Sequence, residues 1–292
     1  MDQIVQQILN GLTIGSIYAL IALGYTMIYG IMKLINFAHG EIFMLGAYMS
    51  YVAMVRFKWP FFVALLFSMV VCGFIGFLIE RVAYRPLRNS TRISALITAI
   101  GVSLLLQNLV MRYFGADIIA LPQVELFRSI TIGNVTVSGN QIVIFVVTLV
   151  LLVALQFIVY RTDFGRAMRA VSTDSEAAYL MGINVNKTIT ITFVMGSVLA
   201  AAAGTLVANY YNNITPLMGV ARGLKAFIAA VFGGIGLLHG AVFGGFFIGA
   251  LETLVSITPY TMWRDAVVYF VLILILILKP TGLFGKKGDT KV

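Results

Sequence analysis

Long apolar runs separated by short polar stretches make up most of the chain. Eight runs are long enough to cross a hydrocarbon core about 30 Å thick as helices. A ninth run, residues 225–238, is shorter and rich in glycine, so it either crosses or re-enters. The runs lack the alternation of apolar and polar positions that barrel strands show. The long runs are residues 4–29, 37–55, 60–79, 93–113, 141–160, 189–211, 241–257 and 263–278.

This pattern predicts an all-α, polytopic membrane helical bundle with eight or nine transmembrane segments, formed by one domain over residues 1–292. Composition agrees, since 60% of the residues are hydrophobic and 11% are charged, against about 25% charged in a soluble domain. Small residues in the first, sixth and eighth runs suit close helix packing in lipid. The single cysteine, Cys72, excludes an intramolecular disulfide and a cysteine-rich metal site.

The net charge of +9 would favour nucleic-acid binding in a soluble protein. In a membrane protein the positions of the basic residues decide the orientation instead, and we expect lipid rather than nucleic acid as the partner. With residues 161–188 placed inside, thirteen of the 20 Lys and Arg lie on the inner side. The bias predicts that residues 161–188 and the tail, residues 279–292, are cytoplasmic. Residues 115–140 then lie outside, and residues 130–137 predict two short strands around a turn.

The loop at residues 161–188 is the longest polar interruption in the second half of the chain. Thr173 and Glu176 have capping-box spacing, and Gly182 can end a helix in the left-handed conformation, so a short helix is expected at about residues 174–181. Such a helix is too short to be stable alone and must dock. Its apolar residues share one face: Ala177, Ala178, Leu180 and Met181. An amphipathic connector resting on the membrane is the plain alternative.

Three ionisable residues fall in or beside apolar runs, where a charge is costly and often functional. His39 and Glu41 introduce the second run, either as an intramembrane site or as a wet interfacial pair that caps the helix. Glu252 lies about eleven residues into its run. It suits either a transport pathway or a structural pairing with Lys225 or Arg222. No nucleophile or metal-ligand set accompanies these residues, so no catalytic or metal site is assigned.

Several motifs resemble one family of membrane proteins. Glu176-Ala177-Ala178 with Gly182 resembles the EAA coupling loop of ABC transporter permeases. The Asn36-to-Glu41 sequence Asn-Phe-Ala-His-Gly-Glu, followed by Met-Leu-Gly-Ala-Tyr, resembles LivH-type permeases of branched-chain amino acid ABC importers. The resemblance extends over nearly the whole chain, through residues 11–20, 165–170, 182–184, 200–204 and 233–236.

The resemblance implies a permease subunit that moves leucine, isoleucine and valine across the bacterial inner membrane. It also implies a second related permease subunit, two cytoplasmic ABC ATPases and a periplasmic substrate-binding protein. Residues 115–140 are too small to capture a substrate alone, so we expect a separate capture protein to dock on that outer face. Glu176, Ala177, Ala178 and Gly182 would seat in the ATPase. Asn36, His39, Glu41 and Glu252 would line the translocation pathway. The sequence has no GxxxxGK[ST] motif, so we expect ATP and Mg²⁺ on the partner ATPases and no cofactor on this chain.

Three other functions remain open. Related permeases carry urea or short amides, and the motifs do not separate these cargoes. A self-sufficient channel or secondary transporter would need its own coupling residues in mid-membrane, and only Glu252 lies deep enough. An intramembrane enzyme could use His39 and Glu41 as base and acid. The permease interpretation makes the chain a transport subunit rather than an enzyme.

Overall fold

The computed structural model describes residues 2–88, 90–122, 124 and 126–285. In that part of the chain α-helices predominate, with short strands only in the connections. The α-helices are α1 (Asp2–Met32), α2 (His39–Tyr51), α3 (Phe61–Ile79), α4 (Arg92–Phe114), α5 (Gly139–Arg161), α6 (Asp163–Thr173), α7 (Ser175–Leu180), α8 (Val185–Tyr211), α9 (Met218–Gly233), α10 (Leu238–Ile257) and α11 (Arg264–Leu278). The strands are β1 (Ile119–Ala120), β2 (Ile130–Ile132), β3 (Val135–Val137) and β4 (Asn213–Ile214).

Seven of the described helices are long and apolar enough to cross a membrane: α1, α3, α4, α5, α8, α10 and α11, the last with the 3₁₀ turn before it. The predicted polytopic helical bundle is therefore confirmed. The other two apolar runs form the shorter helices α2 and α9. Helix α2 continues directly as a π-helical segment, Val52–Arg56, so this helical stretch covers residues 39–56, and α9 has 16 residues. At about 1.5 Å per residue the two stretches reach about 27 and 24 Å, somewhat less than a core of about 30 Å.

The boundaries of the ninth run were predicted wrongly. Helix α9 begins at Met218 rather than at residue 225, and it ends at Gly233. Leu238 already belongs to α10. Lys225 consequently lies in the middle of α9, where its side chain is paired inside the bundle rather than marking a membrane boundary.

Helices α1 and α8 form the core of the bundle. In their most apolar parts, 83% and 78% of the residues are buried. Glycines bring α1 and α10 into backbone contact, since a Cβ at Gly15 would meet Phe246 and one at Gly245 would meet Ala19. On the other side Gly46 of α2 packs against Ala201 of α8. The expected role of small residues in joining these helices is confirmed. Helices α3, α4, α5 and α11 lie outside and expose large apolar side chains, as a lipid-facing surface requires.

The short helices α2 and α9 begin next to each other inside the bundle. His39, the first residue of α2, lies against Gly24 of α1, about two turns before α1 ends. Gly40 contacts Gly219 and Gly223 of α9, where a Cβ on Gly40 would lie 3.2 Å from the Gly223 Cα. Two helix N-termini, each carrying partial positive charge, therefore meet within the protein.

Short strands close the connections between the helices. Strands β2 and β3 pair antiparallel around Gly133, whose φ is +64°, which confirms the predicted hairpin. The Gln6 side chain accepts a 2.9 Å hydrogen bond from the Thr136 amide, so the hairpin contacts the start of α1.

After α11 the Leu283 amide donates to the Phe232 carbonyl at 2.9 Å. The rest of the predicted tail, residues 286–292, lies outside the described residues.

Candidate functional site

Glu41 is a buried carboxylate in the first turn of α2, 1% exposed. Its Oε1 accepts hydrogen bonds from Gln107 Nε2 at 2.8 Å and from Ser103 Oγ at 3.2 Å, both on α4. Its Oε2 has no hydrogen-bond partner among the residues that the structure describes. A carboxylate oxygen without a donor is costly away from water. Glu41 is thus half-satisfied within the chain.

A cavity of about 430 Å³ lies in front of this carboxylate. Its polar wall consists of Glu41, Ser103 and Gln107. The remaining wall comes from α1, α4, α9 and the loop before α2, and it is mainly apolar: Tyr25, Phe37, Ile100, Leu104, Gly219, Val220, Leu224 and Phe227. The mixture of one charged group with aromatic and aliphatic walls is typical of a small-molecule site.

Gly219 makes room for the carboxylate. A Cβ at this position would lie 2.7 Å from Glu41 Oε2 and 2.6 Å from the Gly40 carbonyl oxygen. Any larger residue would therefore push α9 away from α2 or displace the Glu41 side chain. The first turns of both helices lie close to the carboxylate.

His39 and Asn36 do not line this cavity. His39 is fully buried and packs edge-to-face against Tyr25, with ring centroids 4.7 Å apart. Asn36 is also buried, and its Oδ1 accepts a 2.7 Å hydrogen bond from the Tyr84 hydroxyl in the turn after α3. The wet interfacial pair considered for His39 and Glu41 is wrong, because neither side chain reaches the surface of the chain. The N-cap of α2 is Ala38, which has no capping side chain.

Glu252 belongs to a separate cluster of charges between α9, α10 and α11. Its Oε1 lies 2.8 Å from Lys225 Nζ and 3.1 Å from Arg264 Nε. Its Oε2 accepts a 2.6 Å hydrogen bond from the Tyr18 hydroxyl. The expected pairing with Lys225 is present, whereas Arg222 lies over the Tyr211 ring instead.

Among the described residues no group of three or more His, Cys, Asp or Glu could hold a metal ion.

The short helix predicted near residues 174–181 is α7. The residue that caps it is Asp174, whose side chain accepts from the Glu176 and Ala177 amides at 3.0 Å each. The Thr173 capping box was therefore wrong, because the Thr173 hydroxyl donates back to the Arg169 carbonyl. Gly182 has φ +82° and ends the helix in the predicted left-handed conformation.

The predicted apolar face of α7 divides into an inner and an outer part. Ala178 is buried against the rest of the loop, whereas Glu176 and Ala177 are exposed. Tyr179, Leu180 and Met181 are 71%, 83% and 83% exposed. We call these three side chains the α7 tip. Nothing in the described part of the chain covers the tip, so α7 presents an apolar surface at one end of the bundle.

Helix α6, which was not predicted, attaches α7 to the membrane helices. It folds back on the end of α5 at Gly165, where a Cβ would collide with the carbonyl groups of Ile158 and Val159. The Arg169 side chain donates to the Val159 carbonyl and lies over the Tyr160 ring. Helix α6 thus connects α7 to the end of α5.

The family of this chain follows from its sequence. The family profile described as "Branched-chain amino acid transport system / permease component" matches residues 7–276, nearly the whole bundle. The chain belongs to this permease family. The permease is 42% identical to the high-affinity branched-chain amino acid transport system permease protein LivH of Salmonella typhimurium, over 98% of this chain and 97% of that protein. The permease protein BraD of Pseudomonas aeruginosa is equally similar, at 42% identity over the same shares of both chains.

Two further comparisons involve more distant proteins. The permease is 28% identical to the ribose import permease protein RbsC of Haemophilus influenzae, over 97% of this chain and 87% of that protein. A solved structure of PsaBC from Streptococcus pneumoniae in complex with Fab shares the fold, with TM-score 0.50 and 12% identity, covering 93% of the permease and 91% of that chain. The solved structure therefore supports the fold alone.

Sequence reasoning missed the residues on α4 that complete the Glu41 site. Ser103 and Gln107 are four residues apart, so they share one face of a helix. Two polar residues at that spacing in the middle of a mainly apolar span were the available signal. What the sequence could not show is that this face of α4 lies opposite the start of α2.

Proposed function

We propose that the permease is one of two membrane subunits of an ATP-driven importer that moves leucine, isoleucine and valine across the bacterial inner membrane. The observation that carries this proposal is the 42% identity to LivH and BraD over 98% of the chain. The second membrane subunit is a related permease, which makes the pair a heterodimer. ATP and Mg²⁺ bind to two ABC ATPases in the cytoplasm, and the permease itself carries no cofactor and catalyses no reaction.

The α7 tip is the ATPase contact in this proposal. Exposed large apolar side chains that cluster on a two-turn helix are typical of a protein-docking surface. Glu176, Ala177, Ala178 and Gly182 shape the surface, with Ala178 holding it to the loop and Gly182 turning the chain back. Closure of the ATPases would move α7, and α6 would pass the movement to α5 and α8.

Orientation follows from the contact with the ATPases. The segment at residues 161–188 and the tail, residues 279–292, are then cytoplasmic, as the distribution of Lys and Arg also favours. Helix α5 has 23 residues and separates this segment from residues 115–140. The hairpin of β2 and β3 is therefore on the periplasmic side, where a substrate-binding protein delivers the cargo.

The translocation pathway runs past the Glu41 cavity, where it opens at the bundle surface between α4 and α9. Leu104 and Val220 at this opening are 52% and 49% exposed. A carboxylate-lined opening is unfavourable against lipid, so this side faces the second permease subunit. His39 and Asn36 support the start of α2 beside the pathway. Glu252 holds α9 in place through Lys225.

Substitution of Leu180 by Asp tests the proposed ATPase contact. Leu180→Asp should abolish recovery of the ATPases when the tagged permease is purified from native membranes, with the second permease still present. Ile118→Asp is a matched control, because Ile118 is a large apolar residue, 71% exposed, in the segment that we assign to the periplasm. Equal ATPase recovery with both variants would exclude α7 as the contact.

A further inference from the structure

We infer that the Glu41 cavity is an amino-acid binding site within the membrane part of the importer. Glu41 Oε2 accepts a hydrogen bond from the α-ammonium group of the cargo, and the apolar walls hold its aliphatic side chain. This inference rests on the proposed function, and it adds a site in the permease to the selection made by the substrate-binding protein.

The carboxylate of Glu41 makes the cavity suitable for a cation. Glu41 Oε1 accepts from Gln107 and Ser103, whereas Oε2 is buried beside Gly219, which lines the same cavity, and has no partner among the described residues. The nearby Lys225 is already paired with Glu252 and Asp265. An ammonium group supplies both the missing donor and the opposite charge.

The size and lining of the cavity favour an aliphatic amino acid. About 430 Å³ lies within the range of about 300–1,000 Å³ that small-molecule sites occupy. Phe37, Phe227, Leu104 and Leu224 form apolar walls around the single carboxylate. A sugar or urea would bring several polar groups, and the side-chain donors of Ser103 and Gln107 are already directed at Glu41. A ligand with an ammonium group and an apolar side chain therefore complements the Glu41 carboxylate and the apolar walls.

The α-carboxylate of the same ligand would lie at the end of the cavity formed by the first turn of α9. Gly219 and Val220 line the cavity in the first turn of α9, where backbone amides are free of intrahelical partners. The positive end of a helix suits an anion. Glu41 remains the deciding element, because it distinguishes an amino acid from an otherwise identical carboxylic acid.

Direct binding tests the inference. Labelled L-leucine is equilibrated with the purified importer in lipid nanodiscs, without the substrate-binding protein. Unlabelled L-leucinol, which keeps the ammonium group, and isocaproate, which lacks it, serve as competitors. Leucinol should compete within roughly tenfold of leucine, whereas isocaproate should be weaker by more than about tenfold, the usual loss when one charge-assisted hydrogen bond is removed. Equal or reversed potency of the two analogues would overturn the inference.

Two neighbouring amides on α4 provide a matched pair of variants. Gln107→Ala removes a donor that positions Glu41, whereas Asn108→Ala removes an exposed amide that donates to the Leu104 carbonyl of its own helix. Leucine affinity should fall roughly tenfold in Glu41→Gln, fall measurably in Gln107→Ala, and stay within about twofold in Asn108→Ala. Unchanged affinity in a folded Glu41→Gln complex would contradict the inference. If Glu41→Gln does not assemble, the analogue comparison on the wild-type importer decides.

The inference can fail without the proposed function failing. ATP-driven leucine uptake by the wild-type importer with its substrate-binding protein supports the proposed function alone. Uptake of this kind together with no leucine binding in nanodiscs would overturn the membrane site and leave the importer assignment intact. Absence of uptake by the wild-type importer would instead contradict the proposed function.

Discussion

Lys225 Nζ lies 2.8 Å from Glu252 Oε1, with the two side chains 6% and 5% exposed. Asp265 approaches the same ammonium group at 2.7 Å, and Tyr18 donates to the other oxygen of Glu252. One buried ion pair thereby joins α9 to α10, and its neighbours extend the connection to α1 and α11. Glu252 is fully partnered inside the chain, in contrast to Glu41, and we therefore expect it to fix the position of the short helix α9.

Lys225→Met should destabilise the permease strongly. The substitution leaves Glu252 and Asp265 with Arg264 as their remaining cation, and loss of one partner of a buried pair costs about 3–5 kcal/mol. The measurement is the thermal unfolding midpoint of the purified permease in detergent. Lys187→Met is the control, since Lys187 is exposed at the start of α8. Equal midpoints for the two variants would show that the pair contributes little.

Combining Lys225→Met with Glu252→Gln should recover part of the lost stability. The second substitution removes the buried carboxylate that has lost its lysine partner, and it keeps an acceptor for the Tyr18 hydroxyl. Most of the cost of the single variant is the desolvated carboxylate rather than the lost attraction. A double variant as unstable as the sum of the two single variants would contradict this explanation.

Gly182→Ala should impair ATP-driven uptake without affecting assembly of the two permease subunits. Gly182 has φ +82°, which an alanine adopts at a cost of about 1–2 kcal/mol, so the end of α7 would rearrange. Gly101→Ala is a matched control, because an added Cβ meets no atom within 4 Å at either position, and Gly101 lies inside α4. Uptake should remain normal in Gly101→Ala. Equal uptake by both variants would mean that the left-handed turn does not matter.

Gly165→Ala should uncouple ATP hydrolysis from uptake. The added Cβ would collide with the Ile158 and Val159 carbonyl groups and push α6 off the end of α5, at a cost of about 1–3 kcal/mol. We expect the ratio of cargo moved to ATP hydrolysed to fall, with ATPase subunits still bound at the α7 tip. A variant that keeps the wild-type ratio would show that α6 does not carry the movement.

Seven membrane spans could be predicted from the sequence, because their apolar runs are long enough to cross. The packing of the glycines and of residues 200–203 was also predictable, since close helix approach in lipid needs small residues. The start of α9 was not, because it depends on where two helix starts meet at Gly40 and Gly219. Likewise, competition between Thr173 and Asp174 for one cap depends on the turn of α6, which local spacing does not reveal.

The measurement that decides between the importer and the other functions is uptake of labelled L-leucine into proteoliposomes. The vesicles contain the permease with its second membrane subunit and both ATPases, and the substrate-binding protein is added outside. Leucine should accumulate only with internal ATP, and isoleucine and valine should compete while urea and acetamide do not. Accumulation without ATP would indicate a channel or secondary transporter, and competition by urea or acetamide in place of isoleucine and valine would contradict the proposed cargo.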